Sequence, residues 1–350
     1  MRGHWASRSR KNVAFALPLL VVVAALVAAA CGGASTKAST SPSVAPSQVA
    51  ASPSAEPSQS AIPLPTPTVA GAIAFERVVE QGVNSDICVI NSDGTGFRVL
   101  DGGPNWAEHP SWSPDGRRIA YVVYPGGSVD IDDATLWVMN ADGSGKRQLT
   151  KGAVRGDWPT WSPDGKQIAF SFVRAQPEGF DLFVINADGS GLRSVASSPG
   201  GWREYPAWAP NGKILFLRNS DVFAINPDGS GLERLTKMGS INEFALSPDG
   251  KRIAIDDMYS HRLAVIPLHG SEASVTLLDP VSDFIPDTHA AAAWTPDGQA
   301  LAVASGDYSR GTLSLGGSKG SRLYIVNADG SGLSAVPNAG MAIDPAWRPR

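Results

Sequence analysis

Several residues able to do chemistry recur at fixed offsets in this chain. Two positions before the proline of a Pro-x-Trp step, or its equivalent, stand Glu108, Asp157, Glu204 and Asn242. Three carboxylates and an amide at matched points of a repeating scaffold would ring one opening, where they hold a metal ion or a cationic group. The plainer alternative is a solvated acidic rim paired with neighbouring arginines such as Arg155 and Arg203, an arrangement worth little energetically. Aromatic residues share the offsets: Trp106 and Trp202 lie six residues before Trp112 and Trp208, and Trp158 lies three before Trp161. Aromatics around a cleft suit sugar rings, peptides or a protein hot spot, whereas packing between neighbouring units would need no ligand. Tyr205, His109 and His289 are the groups that an enzymatic use of the acids would draw on.

Other motifs fail on context. Gly316-Gly317-Ser318-Lys319-Gly320 has the spacing of a nucleophile elbow, but no strand-to-helix turn surrounds it. Gly143-Ser144-Gly145-Lys146 is part of a phosphate-loop pattern whose first glycine is replaced by Asn140 and whose final hydroxyl is replaced by Arg147. His109, His261, His269 and His289 have no metal-ligand spacing, and Asp130-Ile131-Asp132-Asp133 lacks the glycine and distal glutamate of a calcium loop. No metal or cofactor is expected.

The elements that must position these residues are repeats. One half-unit reads Trp112-Ser-Pro-Asp-Gly, Trp161-Ser-Pro-Asp-Gly, Trp208-Ala-Pro-Asn-Gly, Leu246-Ser-Pro-Asp-Gly and Trp294-Thr-Pro-Asp-Gly, each followed by an apolar strand. The other half-unit ends an apolar strand in Ile90-Asn-Ser-Asp-Gly, Met139-Asn-Ala-Asp-Gly, Ile185-Asn-Ala-Asp-Gly, Ile225-Asn-Pro-Asp-Gly and Val326-Asn-Ala-Asp-Gly. Proline presets φ, Asp or Asn bonds nearby backbone, and Gly accepts positive φ, so each is a tight reversal between short strands. Units of ~40–50 residues without a helical period predict the four-stranded blades of a β-propeller.

These Trp-Ser-Pro-Asp-Gly and Asn-Ala-Asp-Gly-Ser-Gly repeats resemble the WD-repeat-like units of the TolB propeller family across residues 70–350. The resemblance implies an all-β, six-bladed propeller of antiparallel four-stranded blades. Residues Ala72-Ile73-Ala74-Phe75 open the first unit without its Trp half, which stands at the C-terminus as Asp344-Pro345-Ala346-Trp347. Pairing of the two would close the ring and leave no open edge. The fifth unit departs, with Leu246 for Trp and Pro267-Leu268-His269-Gly270 for the Asp-Gly turn. TolB itself carries an N-terminal α/β domain and works with the peptidoglycan-associated lipoprotein; a Pro/Ser/Thr-rich segment stands in that place here.

The N-terminal segment 1–31 carries Arg2, Arg8, Arg10 and Lys11, then an uncharged run from Val13 to Ala30, then Cys31. That is a secretory-signal layout, and Val27-Ala28-Ala29-Ala30-Cys31 resembles a lipobox with Cys31 as the lipidated residue. An uncleaved membrane anchor is the alternative. Residues 32–69 are predicted to be a disordered tether: Ala34 to Thr68 holds seven prolines, nine serines and four threonines, with only Lys37 and Glu56 charged. Without the signal, 25 basic residues face 33 acidic ones, a net charge near −8 that argues against sequence-independent nucleic-acid binding. Cys88, alone in the folded part, is expected to be a buried inert thiol.

Two functional expectations follow. The first is an extracytoplasmic, membrane-anchored, monomeric binding or scaffolding module whose ligand in the cell envelope is a protein, peptide or glycan, held on the loop face by Trp106, Glu108, His109, Asp157, Trp158, Trp202, Glu204, Tyr205, Asn242 and His289. The second is a propeller lyase or hydrolase acting on an envelope polymer.

Overall fold

The computed structural model describes residues 71–79, 84–125, 134–151, 156–175, 178–196, 204–257, 259, 262–269, 275–278, 292–305 and 322–349. Cys31, the expected signal and tether, Trp202 and His289 lie outside them. Every element among the described residues is a β-strand. In chain order they are β1 (Ala72–Val78), β2 (Ser85–Asn91), β3 (Arg98–Asp101), β4 (Trp106–Trp112), β5 (Arg118–Tyr124), β6 (Thr135–Asn140), β7 (Arg147–Gln148) and β8 (Gly156–Trp161). Then come β9 (Gln167–Ala175), β10 (Glu178–Asn186), β11 (Arg193–Ala196), β12 (Glu204–Trp208), β13 (Ile214–Arg218), β14 (Asp221–Ile225), β15 (Glu233–Arg234) and β16 (Ile241–Leu246). The last are β17 (Arg252–Asp257), β18 (Arg262–Pro267), β19 (Val275–Leu278), β20 (Ala292–Trp294), β21 (Ala300–Ser305), β22 (Arg322–Asn327), β23 (Ser334–Ala335) and β24 (Ala342–Trp347).

Four sheets are four-stranded meanders: β8 to β11, β12 to β15, β16 to β19 and β20 to β23. The fifth has eight strands, in which β24-β1-β2-β3 and β4-β5-β6-β7 are joined by a single parallel bridge, Ser85 to Trp106. Strand β24 pairs antiparallel with β1, Trp347 opposite Ile73 and Ala342 opposite Arg77. Strands β9 and β10 stay in register out to Ala175 and Glu178; nothing in Arg174-Ala175 breaks the ladder before Gln176-Pro177.

The core lies between sheets. Leu136, Val138 and Leu149 pack on Trp161, Ile168 and Phe170; Leu182 and Val184 on Ile214 and Phe216; Leu217 and Val222 on Ile253 and Ile255; Leu263 and Val265 on Leu301 and Val303. Ala300, Ala302 and Ile325 then pack on Ile73, Phe75 and Trp347. Burying side chains of this size stabilises by ~1.5–3 kcal/mol each relative to exposure.

The Trp anchors do more than fill space. The Trp161 indole donates to Ser111 O at 3.1 Å, Trp294 to Ala245 O at 2.9 Å, and Trp112 to Ala346 O at 3.2 Å, each reaching the residue just before the anchor of the neighbouring inner strand. Arginines cap the same rings: Arg118 lies 4.5 Å from the Trp161 ring and donates to Gly165 O, and Arg252 and Arg348 repeat the arrangement on Trp294 and Trp112. In the Asn-Ala-Asp-Gly-Ser-Gly turn, Asp142 Oδ1 accepts from Ser144 N and Oγ at 2.9 and 2.6 Å. Gly145 there has φ 64° and a Cβ would meet Asn140 Nδ2 at 2.8 Å, so only glycine fits. The fifth unit lacks this turn, and a notch of about 170 Å³ lined by Leu215, Leu235, Leu268 and His269 opens there.

Candidate functional site: the inner-strand bulges

Each long inner strand breaks register near its middle. The pairing shifts between Glu108 and Ser111, Asp157 and Thr160, Glu204 and Ala207, and Ile241 and Glu243, and again on β1 between Ala74 and Glu76 opposite β24. At four of these bulges a non-glycine residue has positive φ: His109 at 52°, Trp158 at 45°, Tyr205 at 53° and Asp344 at 48°. Each is followed by proline, Pro110, Pro159, Pro206 and Pro345, which has no N–H to lose from the ladder. Left-handed backbone at bulky residues costs ~1–3 kcal/mol each and clusters at sites of function; a bulge re-aims its side chain.

The re-aimed side chains meet. His109, Trp158, Tyr205, Glu243 and Asp344, with the bulge prolines and Phe244, line one cavity of about 180 Å³. The His109 and Trp158 rings lie 5.1 Å apart at 41°, and Trp158 and Tyr205 lie 4.6 Å apart at 41°. Both nitrogens of His109 face carboxylates from other strands: Nδ1 is 2.6 Å from Asp157 Oδ1, off the line of a hydrogen bond, and Nε2 is 3.3 Å from Asp344 Oδ2. Burial pushes the imidazole down, but Asp157 and Asp344, with Glu108 behind them, pull harder, and His109 is held well above its ordinary value. It is therefore an imidazolium at neutral pH, a charged tie between β24, β4 and β8.

The surrounding acids respond to their crowding. Burial raises Glu108 to about 7, helped by Asp157 and Asp344 against the pull of His109. Glu76, on β1 and 2% exposed, is raised well above the carboxylate range by burial and then by Glu108 and Asp344. Tyr124 is pushed up by burial and then by Asp157, Glu108 and Glu76.

Of the residues singled out in the sequence, Glu108, His109, Asp157, Trp158 and Tyr205 come together here. Asp157 pairs with His109; Arg155 and Arg203 lie outside the described residues. Asn242 turns away and donates to Asp256 Oδ2 at 3.0 Å, while the next residue, Glu243, lines the cavity. Trp106 pairs with Tyr124 and packs on Val122, Tyr124 and Ala134, a structural role. Glu204 begins β12 opposite Leu217; Trp202 and His289 are outside the described residues. Sequence reasoning missed Glu76, Glu243 and Asp344. The signal for the last two was the position three before five of the six anchors, which reads His109, Trp158, Tyr205, Glu243 and Asp344; before Trp294 it is Ala291. No cluster of His, Cys, Asp and Glu among the described residues has the geometry to hold a metal. Cys88 is buried and its thiol is pushed up to about 12 by burial.

Comparison with known proteins agrees with this architecture. The TolB beta propeller domain family matches residues 72–350. No curated protein matches the chain. Among solved structures, TolB from Acinetobacter baumannii is 19% identical with a TM-score of 0.62, over 80% of this chain and 67% of that one. A putative TolB from Agrobacterium tumefaciens is 16% identical with a TM-score of 0.55, over 79% and 91%. A chain of the nidogen/laminin complex is 9% identical with a TM-score of 0.57, over 80% and 98%. Identities this low speak to fold and not to activity. With sheets of short antiparallel strands, indole-anchored inner strands and a family match over residues 72–350, this chain belongs to the TolB β-propeller domain family.

Proposed function

We propose that this chain is an extracytoplasmic binding or scaffolding module: a monomeric ring of six four-stranded blades, closed by β24 on β1, whose ligand enters at the inner-strand bulges. The count is supported by the way β20 to β23 pack on Ile73, Phe75 and Trp347, and by the Trp112 bond to Ala346. The observation that carries the binding reading is the convergence of His109, Trp158, Tyr205, Glu243 and Asp344 on one cavity at the cost of backbone strain. A hydrolytic reading is disfavoured because His109, the histidine at the site among the described residues, faces carboxylates at both nitrogens and offers no lone pair to abstract a proton. The signal-like segment 1–31, Cys31 and the segment 32–69 support export and a lipid tether on the outer face of the cytoplasmic membrane.

A photo-crosslinking residue placed at Tyr205 in cells should capture a discrete envelope protein, peptide or glycan that Trp158→Leu releases. Turnover of envelope peptides or polysaccharides by the purified chain, abolished by Glu204→Gln, would overturn the binding reading. Fatty-acid labelling that depends on Cys31 is expected, and wild-type chain without label would point to a membrane-spanning anchor instead.

A further inference from the structure

Two kinds of tie recur where one sheet meets the next, and each needs a residue from both sides. In the first, an arginine at the head of a second strand lies over the anchor Trp of the next sheet, whose indole donates to the inner strand behind it. Arg118 with Trp161 joins β4–β7 to β8–β11 in this way, and Arg252 with Trp294 joins β16–β19 to β20–β23. In the second, an arginine of an outermost strand donates to carbonyls of the next sheet's Asp-Gly turn. Arg147 reaches Ala187 O and Asp188 O, both at 2.8 Å, and Arg193 reaches Pro227 O at 2.6 Å. Where β20–β23 meets β1 and β2, Asn338 donates to Gly94 O at 3.2 Å. Such bonds have direction, so they fix how two surfaces sit.

Where β12–β15 meets β16–β19, both partners of both ties are replaced. The strand positions of Arg118 and Trp161 hold Lys213 and Leu246, the position of Arg147 and Arg193 holds Glu233, and the Asp-Gly turn has become Pro267-Leu268-His269-Gly270. Lys213 and Glu233 pair with each other at 3.1 Å, inside their own sheet instead of across the seam. What joins the two sheets at this end is apolar contact of Ala209, Leu215 and Leu235 with Leu246 and Leu268, which has no preferred direction. The other end of the seam is pinned by the Ile241 N–H, which donates to Ser220 O at 3.1 Å. We infer that the fold yields at this seam: β12–β15 and β16–β19 part at their turn ends about the pin at Ile241, while the tied seams stay shut. This is a hinge made by omission, and the apolar core between the sheets keeps the open form a minor one.

Thiol labelling of the full chain, read cysteine by cysteine by mass spectrometry, tests this. Ala209→Cys puts a thiol into the untied seam, and Ala187→Cys puts the same side chain into the seam held by Arg147 and Trp161. Each rate is taken relative to that of native Cys88, fully buried in the same molecule, so that any change in global unfolding cancels. The thiol of Ala209→Cys should be labelled about tenfold faster or more than that of Ala187→Cys, although Ala209 is the less exposed of the two, 4% against 8%. Equal relative rates, or a faster one for Ala187→Cys, would overturn the inference. Adding Arg118→Ala to Ala187→Cys removes one tie from the second seam and should raise its relative rate about threefold or more. No rise there would mean that the missing ties are not what loosens the first seam, and the hinge would be withdrawn.

Discussion

At His109 an imidazolium lies between carboxylates of two other inner strands, and such a tie must leave a signature in the pH dependence of stability. Its folded value is raised, so its contribution is complete below the ordinary value of about 6.5 and is lost as pH climbs through the folded value. Glu108 acts in the same sense: its proton is favoured by the fold, and stability falls between the ordinary 4.5 and about 7. Glu108→Gln should therefore flatten the loss of stability over that window and exceed the wild type at pH 8, by on the order of 3 kcal/mol at most. Denaturant unfolding of both proteins from pH 4.5 to 9 measures this, and a difference that does not change with pH would refute it. His109→Asn leaves Asp157 facing Asp344 without a cation, and should cost about 3–5 kcal/mol at pH 6, with the gap to wild type narrowing at alkaline pH. Little of this was legible in the sequence. Glu108 and Asp157 recur at a shared offset, but the partner that completes the tie, Asp344, stands near the opposite end of the chain and looks there like part of a closing strand.

Among the elements, the inner strands carry two opposed features: an anchor that fixes the strand to its neighbour and a bulge that strains it. Trp161→Ala removes both an indole hydrogen bond and a packed ring, and should cost ~3–5 kcal/mol. Arg118→Met removes the cation over that ring and the bond to Gly165 O, for about 1 kcal/mol. Because the two side chains touch, the double variant should lose less than the sum of the two losses; thermal melts of the four proteins check both statements, and strict additivity would mean the stack contributes nothing. The anchors and their turns were readable in advance, since Trp-Ser-Pro-Asp-Gly prescribes a reversal through φ, side-chain bonding and glycine. The bulges were not. Position three before the anchor holds His, Trp, Tyr, Glu, Ala and Asp in turn, with no shared propensity, and what places those at the bulges is the pairing geometry of the whole strand, followed in four of them by a proline that makes the irregularity cheap. Asn242 illustrates the gap: it occupies the expected offset, yet its amide bonds Asp256 on β17, and Glu243 takes the cavity.

For the molecule as a whole, the pairing of β24 with β1 bears on more than one sheet, because residues of both strands share a core with β21 and β22. Deleting residues 343–350 removes Trp347 from the core it shares with Ile73, Phe75 and Ala302, and the acceptor of the Trp112 indole with it. A loss of ~3–5 kcal/mol is expected from the ring of Trp347 alone, a large share of a typical ~5–15 kcal/mol. An unchanged melting midpoint in the truncated chain would mean that this strand does not close the ring. The same strand also supplies Asp344, so the cavity draws its wall from residues 109, 158, 205, 243 and 344 together. A chain made from its N-terminus holds four of those five and still has no finished site. Only when β24 pairs with β1 does the pocket gain its remaining acid and His109 its second partner. On the binding reading, a copy whose β24 is lost or unpaired displays four of the five wall residues and is expected to hold the ligand less tightly than one in which the pairing is made.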